Sequence, residues 1–386
     1  MKLSPLTVGA AVFACAGIGV ATLRAPGLGR ATMPVAKAAV PAVAGKASSL
    51  RIAGSPADVA PPSNAAPNEM GRIPVLMYHS VGDRGAYDKH GLNISPETFR
   101  KHMQLLHDNG FYPVNMRDVL SPVVNVPRGW TPVVITFDDA RASQYRNRGG
   151  KLDPNCALGI LEAAHAKYGA SWPQRATFYL LPASKFNPSP FGEEKTVTAK
   201  FKFLADSGYE LANHSTSHHA LNRMDKAQLE WESRTCRDYV KKRVPAATMD
   251  TFACPYGIYP RSEALLDVLM QQGNRAVLMA WGDASYAPLD KRYNLRRIQR
   301  IGSEPGVIEN WVRALVRARK TPDASLAPFI SDGDPQTATI PAAKEKFIDR
   351  ARLQSVSLSV LPAPKPAPAT KKPTGKTKTA KPIKGT

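Results

Sequence analysis

Cysteine is scarce: only four occur among 386 residues, and Cys15 lies in a segment that export could remove. The remaining Cys156, Cys236 and Cys254 are odd in number, which excludes a disulfide framework as the main stabiliser and leaves room for one bridge at most. Acidic residues are missing altogether from residues 361–386, where seven Lys stand among Pro, Ala and Thr. Such a segment cannot bury enough apolar surface to offset its ordering entropy, so residues 362–386 are expected to be a disordered tail. Residues 24–70 lack a sustained apolar period and are rich in Ala, Pro, Ser and Gly, which reads as a flexible linker.

The formal charge is +21, of which the tail supplies seven. That excess attracts polyanions in general, including nucleic acid, anionic lipid and envelope polymers, and its sign does not choose among them. The N-terminus does. Residues 5–23 form an apolar stretch preceded by Lys2, which fits a signal peptide or an uncleaved membrane anchor over residues 1–23. Cys15 stands where a lipoprotein cysteine would, but Phe13 suits that signal poorly. The expectation is export to a periplasm or cell envelope, with an envelope polyanion favoured over nucleic acid as a partner of the tail.

Residues 71–361 form the foldable part. Short apolar runs at 73–78, 132–137, 176–181, 209–212, 251–254, 276–280 and 295–301 read as strands. Between them, 96–109, 156–168, 226–242, 262–272 and 307–319 read as helices, the first opened by Ser95 as cap and Pro96. Strands alternating with helices predict a parallel sheet covered by helices, and about seven strands predict an α/β barrel, closed or nearly so.

The residues that carry chemistry fall at strand ends. Asp138 and Asp139 close the run Pro132-Val-Val-Ile-Thr-Phe137, His214-Ser-Thr-Ser-His218 follows 209–212, Pro255-Tyr-Gly257 follows 251–254, and His79 ends the first strand. Each motif alone reads equally well as a turn, a cap or a solvated surface. Together, at the rim where parallel strands converge, one carboxylate and two imidazoles could hold a divalent ion beside a spare carboxylate.

The ordered set Thr136-Phe-Asp-Asp139, His214-Ser-Thr-Ser-His218 with Leu221, and Pro255-Tyr-Gly257 resembles the polysaccharide deacetylases, carbohydrate esterase family 4. Pro74-Val-Leu-Met-Tyr-His79 and Phe252-Ala-Cys-Pro-Tyr-Gly257 are most similar to the branch of poly-β-1,6-N-acetylglucosamine deacetylases. The resemblance implies a distorted (β/α)7-type barrel and metal-dependent removal of acetyl groups from an N-acetylhexosamine polymer. It implies that Asp139, His214 and His218 bind the ion, usually zinc. It also implies that Asp138 is the base that accepts a proton from metal-bound water, and that the Tyr256 backbone N–H is an oxyanion donor.

The sequence departs from the family in four places. There is no His after His219, so the His of a later Leu-x-His motif that protonates the leaving amine is missing; Asp138 or His79 would have to serve. The Arg that often precedes Pro-Tyr-Gly is replaced by Ala253 and Cys254, and Arg297 is the candidate to orient the base. His219 offers an alternative ligand spacing to His218. Ala140-Arg141 stands where many relatives have Gly, and the polar insertion 146–155 and the rings of Trp281 and Tyr286 could meet a glycan. Three rivals remain: a de-O-acetylase on the same scaffold, a glycan-binding envelope protein without turnover, and a nucleic-acid binder that acts through the basic tail.

Overall fold

The computed structural model describes residues 60, 62, 64–82, 92–184, 187–353 and 356–362. The expected export segment with Cys15, most of the linker and the tail beyond residue 362 lie outside the described residues. Eight strands form one sheet: β1 (Val75–Tyr78), β2 (Phe111–Val114), β3 (Thr131–Phe137), β4 (Thr177–Leu180), β5 (Glu210–Asn213), β6 (Thr251–Ala253), β7 (Ala276–Leu278) and β8 (Ile301–Gly302). Every ladder in it is parallel, in the order β7-β6-β5-β4-β3-β1-β8, with β2 also paired to β3. The sheet curls back on itself. Past β7 the chain returns alongside it, with Val277 N donating to Leu295 O (2.8 Å) and Met279 N to Ile298 O (2.8 Å), before running into β8.

The barrel is distorted for a local reason. Both β2 and β4 lie on β3, with β2 in register with Thr131 to Val134 and β4 with Thr136 and Phe137. β2 escaped the sequence reading because Pro113 sits inside it. A Pro is tolerated there because β2 ends the sheet locally, where its missing N–H breaks no ladder.

Side chains alternate across the strands. Leu76, Tyr78, Val133, Ile135, Phe137 and Phe178 face outward onto the helices. Val75, Val134, Tyr179, Ala212, Ala253 and Leu278 face the barrel interior. The α-helices longer than four residues are α1 (Pro96–Asp108), α2 (Ala157–Tyr168), α3 (Glu194–Ser207), α4 (Lys226–Lys241), α5 (Glu263–Gln271) and α6 (Val307–Ala318). Ser95 Oγ caps α1 by accepting from Thr98 N (3.0 Å), and Asp225 with Gln228 forms a reciprocal capping box on α4. α3 was not expected from sequence. Its buried row is Val197, Lys200, Phe201 and Leu204, so a charged residue interrupts the apolar stripe, and Glu193 caps it with no side-chain hydrogen bond.

Cys156, Cys236 and Cys254 are buried and free, so the bridge left open by the sequence does not form among them. Two act locally instead: Cys156 Sγ accepts from Gly159 N at the start of α2 (3.4 Å), and Cys236 Sγ donates to Leu180 O (3.3 Å). Among the described residues no helix is long and apolar enough to cross a membrane.

Residues 68–73 strap the domain's entrance to its C-terminal part. Asn68 bridges to Ile330 and Arg72 to Pro328. A Cβ on Gly71 would lie 2.1 Å from the Pro328 carbonyl carbon, so this approach requires glycine. In the strap, buried Glu69 accepts from Thr339 N (2.9 Å) and Asp332 N (3.3 Å). Burial, together with the nearby Asp332 carboxylate, pushes the Glu69 carboxyl up to about 8. Its folded pKa exceeds the unfolded value of 4.5, so the stability it contributes is complete below pH 4.5 and lost as pH rises through 8. The thermal midpoint should therefore fall by about 3 °C or more between pH 6 and 9. Glu69→Gln should at least halve that fall, and calorimetry at the two pH values checks it.

Candidate metal centre

The alternation that builds the barrel interior also delivers the site. On β3 the inward positions are Val134 and Thr136, and the next in that row is Asp138. On β5 the row runs from Glu210 through Ala212 to His214. On the returning segment it passes through Ile298 to Arg300, just before β8. Two strands and the returning segment thus aim a carboxylate, an imidazole and a guanidinium at one place above Tyr179.

Asp138 and Arg300 form a bidentate pair there, Nη1 to Oδ1 at 2.7 Å and Nη2 to Oδ2 at 2.8 Å, with both residues almost wholly inaccessible. Arg300 Nη1 also donates to Thr136 Oγ1 (3.2 Å), Nε donates to Met279 O (2.6 Å), and the guanidinium carbon lies 5.5 Å from the Tyr179 ring centroid. Burial alone would raise the Asp138 carboxyl, but the Arg300 charge and hydrogen bonds, together with the His214 and His79 imidazoles, outweigh it and hold the carboxyl below the usual range. Asp138 is therefore ionised at neutral pH. A buried, bidentate Arg is the partner that a buried carboxylate needs.

Asp139 turns the other way, into a left-handed backbone at φ 73°, with Ala140 also at 48°. Its Oδ2 accepts from Arg141 Nε (2.9 Å) and Nη2 (2.8 Å). Its Oδ1 lies 3.3 Å from His214 Nε2 and 3.2 Å from His218 Nε2. His214 Nδ1 is 2.9 Å from the Ala253 carbonyl, to which it donates, so in the neutral ring Nε2 carries a bare lone pair. Three electron-pair donors therefore converge with no hydrogen-bond donor among the protein groups for Asp139 Oδ1. They all lie within 4.8 Å of one another. A cation resolves that convergence, and one carboxylate oxygen with two imidazole nitrogens suits zinc.

Backbone strain concentrates here. Asp139, Ala140, Ser215, His218 and Tyr256 all have positive φ between 48° and 73°, among only seven such non-glycine residues described. Such conformations cost of order 1–3 kcal/mol each and persist where the surroundings impose them. Asn187 imposes one by donating from Nδ2 to Asp139 O (2.7 Å) and Ala140 O (2.9 Å). Glu232 of α4 imposes others: Oε2 accepts from Thr216 N (2.8 Å) and Ser217 N (2.9 Å), and Oε1 accepts from Ser217 Oγ. Sequence reasoning missed both residues. Glu232 does fall in the row of Leu229, Ser233 and Cys236 that α4 buries, where a lone carboxylate needs partners.

The other expected residues divide. The Tyr256 ring packs edge-on against His218 with centroids 4.5 Å apart. Gly257 follows it at φ 65°, where a Cβ would meet Ala280 Cβ at 2.6 Å, so the turn requires glycine. His79 sits within electrostatic reach of Asp138 and Asp139; burial, opposed by those carboxylates, lowers its imidazole below the ordinary value. Arg297 corrects the sequence reading. It pairs with Glu263 on the outside of the barrel, because it lies on the opposite parity from Ile298 and Arg300, and Arg300 holds Asp138 instead. His219 is likewise turned away: its ring is 71% exposed and bonds Ser217 Oγ through Nδ1 (2.5 Å), while His218 faces Asp139.

Trp281 is 53% exposed beyond β7, its Nε1 donating to Glu304 (2.9 Å), so it is no core residue. Tyr286 is already engaged by two guanidinium groups, Arg72 at 3.6 Å and Arg292 at 4.3 Å from its ring centroid. In the insertion, Asn147–Arg148 and Lys151–Leu152 form a hairpin, and Arg146 (2.6 Å) and Arg148 (2.7 Å) both turn to Asp153.

Residues 126–277 match the family model for polysaccharide deacetylases. That span contains the two aspartates, both histidines and the Pro-Tyr-Gly turn, and it supports the polysaccharide deacetylase family for this chain. A Bacillus subtilis (strain 168) protein that carries the name polysaccharide deacetylase YxkH is 26% identical over 162 residues, 42% of this chain and 48% of that protein. The chain thus spans about half the length of this curated relative. Among solved structures, the Streptococcus pyogenes deacetylase PplD in complex with acetate is 20% identical, covering 64% of this chain and 98% of that one with a TM-score of 0.49. IcaB from Ammonifex degensii is 17% identical, covering 63% and 96%, also at 0.49.

Proposed function

We propose that this chain is an exported, metal-dependent hydrolase that removes acetyl groups from the amide nitrogens of an N-acetylhexosamine polysaccharide, most similar in motif style to the poly-β-1,6-N-acetylglucosamine deacetylases. The observation that carries this reading is the division of labour between two adjacent carboxylates. Asp139 shares one oxygen with His214 and His218, whereas Asp138 is held apart from them as an ionised, guanidinium-clamped base. The family match supports the deacetylase class.

Asp139, His214 and His218 would hold the divalent ion. When bound, it would supply a Lewis acid that acidifies water and polarises a carbonyl. Asp138 takes the proton from the attacking water, whose oxygen forms the new bond to the acetyl carbon. The carbon–nitrogen bond then breaks, Asp138 returns the proton to the leaving amine, and acetate departs. The Pro255-Tyr-Gly turn brings the Tyr256 backbone N–H to the same rim to meet the developing oxyanion. A small pocket beside Asp139 and His218 is lined also by Arg141, Leu181, Ser184 and Asn187.

His214→Ala is expected to weaken zinc binding at least about 100-fold, measured by competition with a chromogenic chelator, and to abolish acetate release. The wild-type protein should release acetate from partly N-acetylated glycans and stop when chelated. Release from O-acetylated glycans alone would assign the scaffold to ester hydrolysis instead. Full turnover by His214→Ala would remove the metal assignment.

A further inference from the structure

Next to the His218 loop, on the outer flank of α4, lies a groove of about 700 Å³ that the chemistry above does not use. Its walls carry Trp231, Met224, Ala227, Arg223, Gln228 and His219, and its inner end reaches Ser217 and Glu232. The groove is thus lined by Ser217 and His219, the residues on either side of the candidate ligand His218.

Trp231 is the feature in need of a reason. α4 buries Leu229, Glu232, Ser233, Cys236 and Val240, and Trp231 lies off that row with 47% of its surface exposed. It is therefore not a core residue. With Ala227 one turn earlier, it puts a flat apolar surface along one wall, and nearly buried Met224 lies below. The other lining groups carry charge of both signs, Arg223 against Asp225, with the amide of Gln228 and the imidazole of His219.

This mixture selects among occupants. An apolar helix would strip water from the Arg223 guanidinium and from the oxygen and amide that Asp225 and Gln228 do not use in their capping box, which is costly. A polyanion would meet Asp225. A neutral sugar ring has an apolar C–H face and a rim of hydroxyls that both donate and accept, and the groove offers a counterpart for each. The volume lies within the range typical of small-ligand sites.

We propose that this groove is a second saccharide-binding subsite, in which a neighbouring ring of the polymer stacks on Trp231 while another ring is presented at the metal centre. This rests on the polysaccharide reading above. Its function is to hold a long chain in register, so it adds to polymer affinity and not to the chemistry on a single sugar.

The test uses full-length, zinc-loaded protein. Calorimetry measures binding of a neutral β-linked hexamer of N-acetylglucosamine in an Asp138→Asn background, where the ligand is not consumed. Adding Trp231→Ala should weaken binding about tenfold, or about 1.4 kcal/mol, and Trp231→Phe should restore it to within about threefold. In the active protein, Trp231→Ala should raise KM for the hexamer with kcat unchanged, and leave acetate release from monomeric N-acetylglucosamine within about twofold. Hexamer binding that is absent from the unaltered protein, or unchanged by Trp231→Ala, overturns the subsite. So does an equal loss of turnover on the monomer. Trp231-dependent binding without acetate release would sink the hydrolase reading and leave the subsite standing.

Discussion

Replacing Asp138 with Asn is expected to lower acetate release by a factor of about 10²–10⁴ while zinc stays bound. The two outcomes separate because the two aspartates have separate partners. Asp138 contacts Arg300 through both oxygens, and its nearest imidazole nitrogen, His214 Nε2, is 3.9 Å away. Asp139 alone shares an oxygen with both histidines. The substituted amide would keep the shape of the site and one acceptor for Arg300, but it cannot take a proton from water. Zinc affinity, measured by chelator competition, should change by less than about threefold. Asp139→Asn should reverse the pattern, with affinity falling first and turnover following it. Undiminished turnover by the Asp138→Asn protein would remove Asp138 as the base.

The reactive residues were legible because barrel geometry converts a strand end into an address. A hydrophobic run with known parity says which face its next residue takes, and Asp138 and His214 follow β3 and β5 directly. The same rule explains the error at Arg297. The run 295–301 contains Arg296, Arg297 and Arg300, and only its register decides which one enters the barrel. That register is set by the Met77 to Gly302 pairing and by Ile298 against Leu278, contacts distant in sequence. A shift by one residue exchanges inside for outside. Asn187 was illegible for a different reason: its role is to hold strained backbone at a ligand loop, which leaves no periodic signal, whereas Glu232 left only its place in the buried row of α4. α3 was lost to Lys200 in its buried row, where the ammonium is satisfied by the Phe191 carbonyl (3.2 Å).

The largest expected loss of stability comes from Arg300→Leu. Removing one member of a buried ion pair leaves the other unpaired, at a cost of about 3–5 kcal/mol. Here the survivor is Asp138, and with Arg300 gone only the His214 and His79 imidazoles oppose burial, the largest influence on it, so its pKa is expected to rise, the reverse of its present direction. Its folded pKa then exceeds its unfolded value, so stability is retained at low pH and lost as pH rises through the folded pKa. Urea unfolding of the variant should show a midpoint that falls with rising pH. Turnover should move the opposite way, because a carboxyl with a raised pKa regains its base form only as pH rises. Arg300→Leu combined with Asp138→Leu should recover much of the lost stability, since no buried charge remains, and recover none of the activity. If the single and double variants were equally stable at neutral pH, the clamp would contribute nothing beyond packing. The guanidinium would then no longer explain how a carboxylate so deeply buried stays charged.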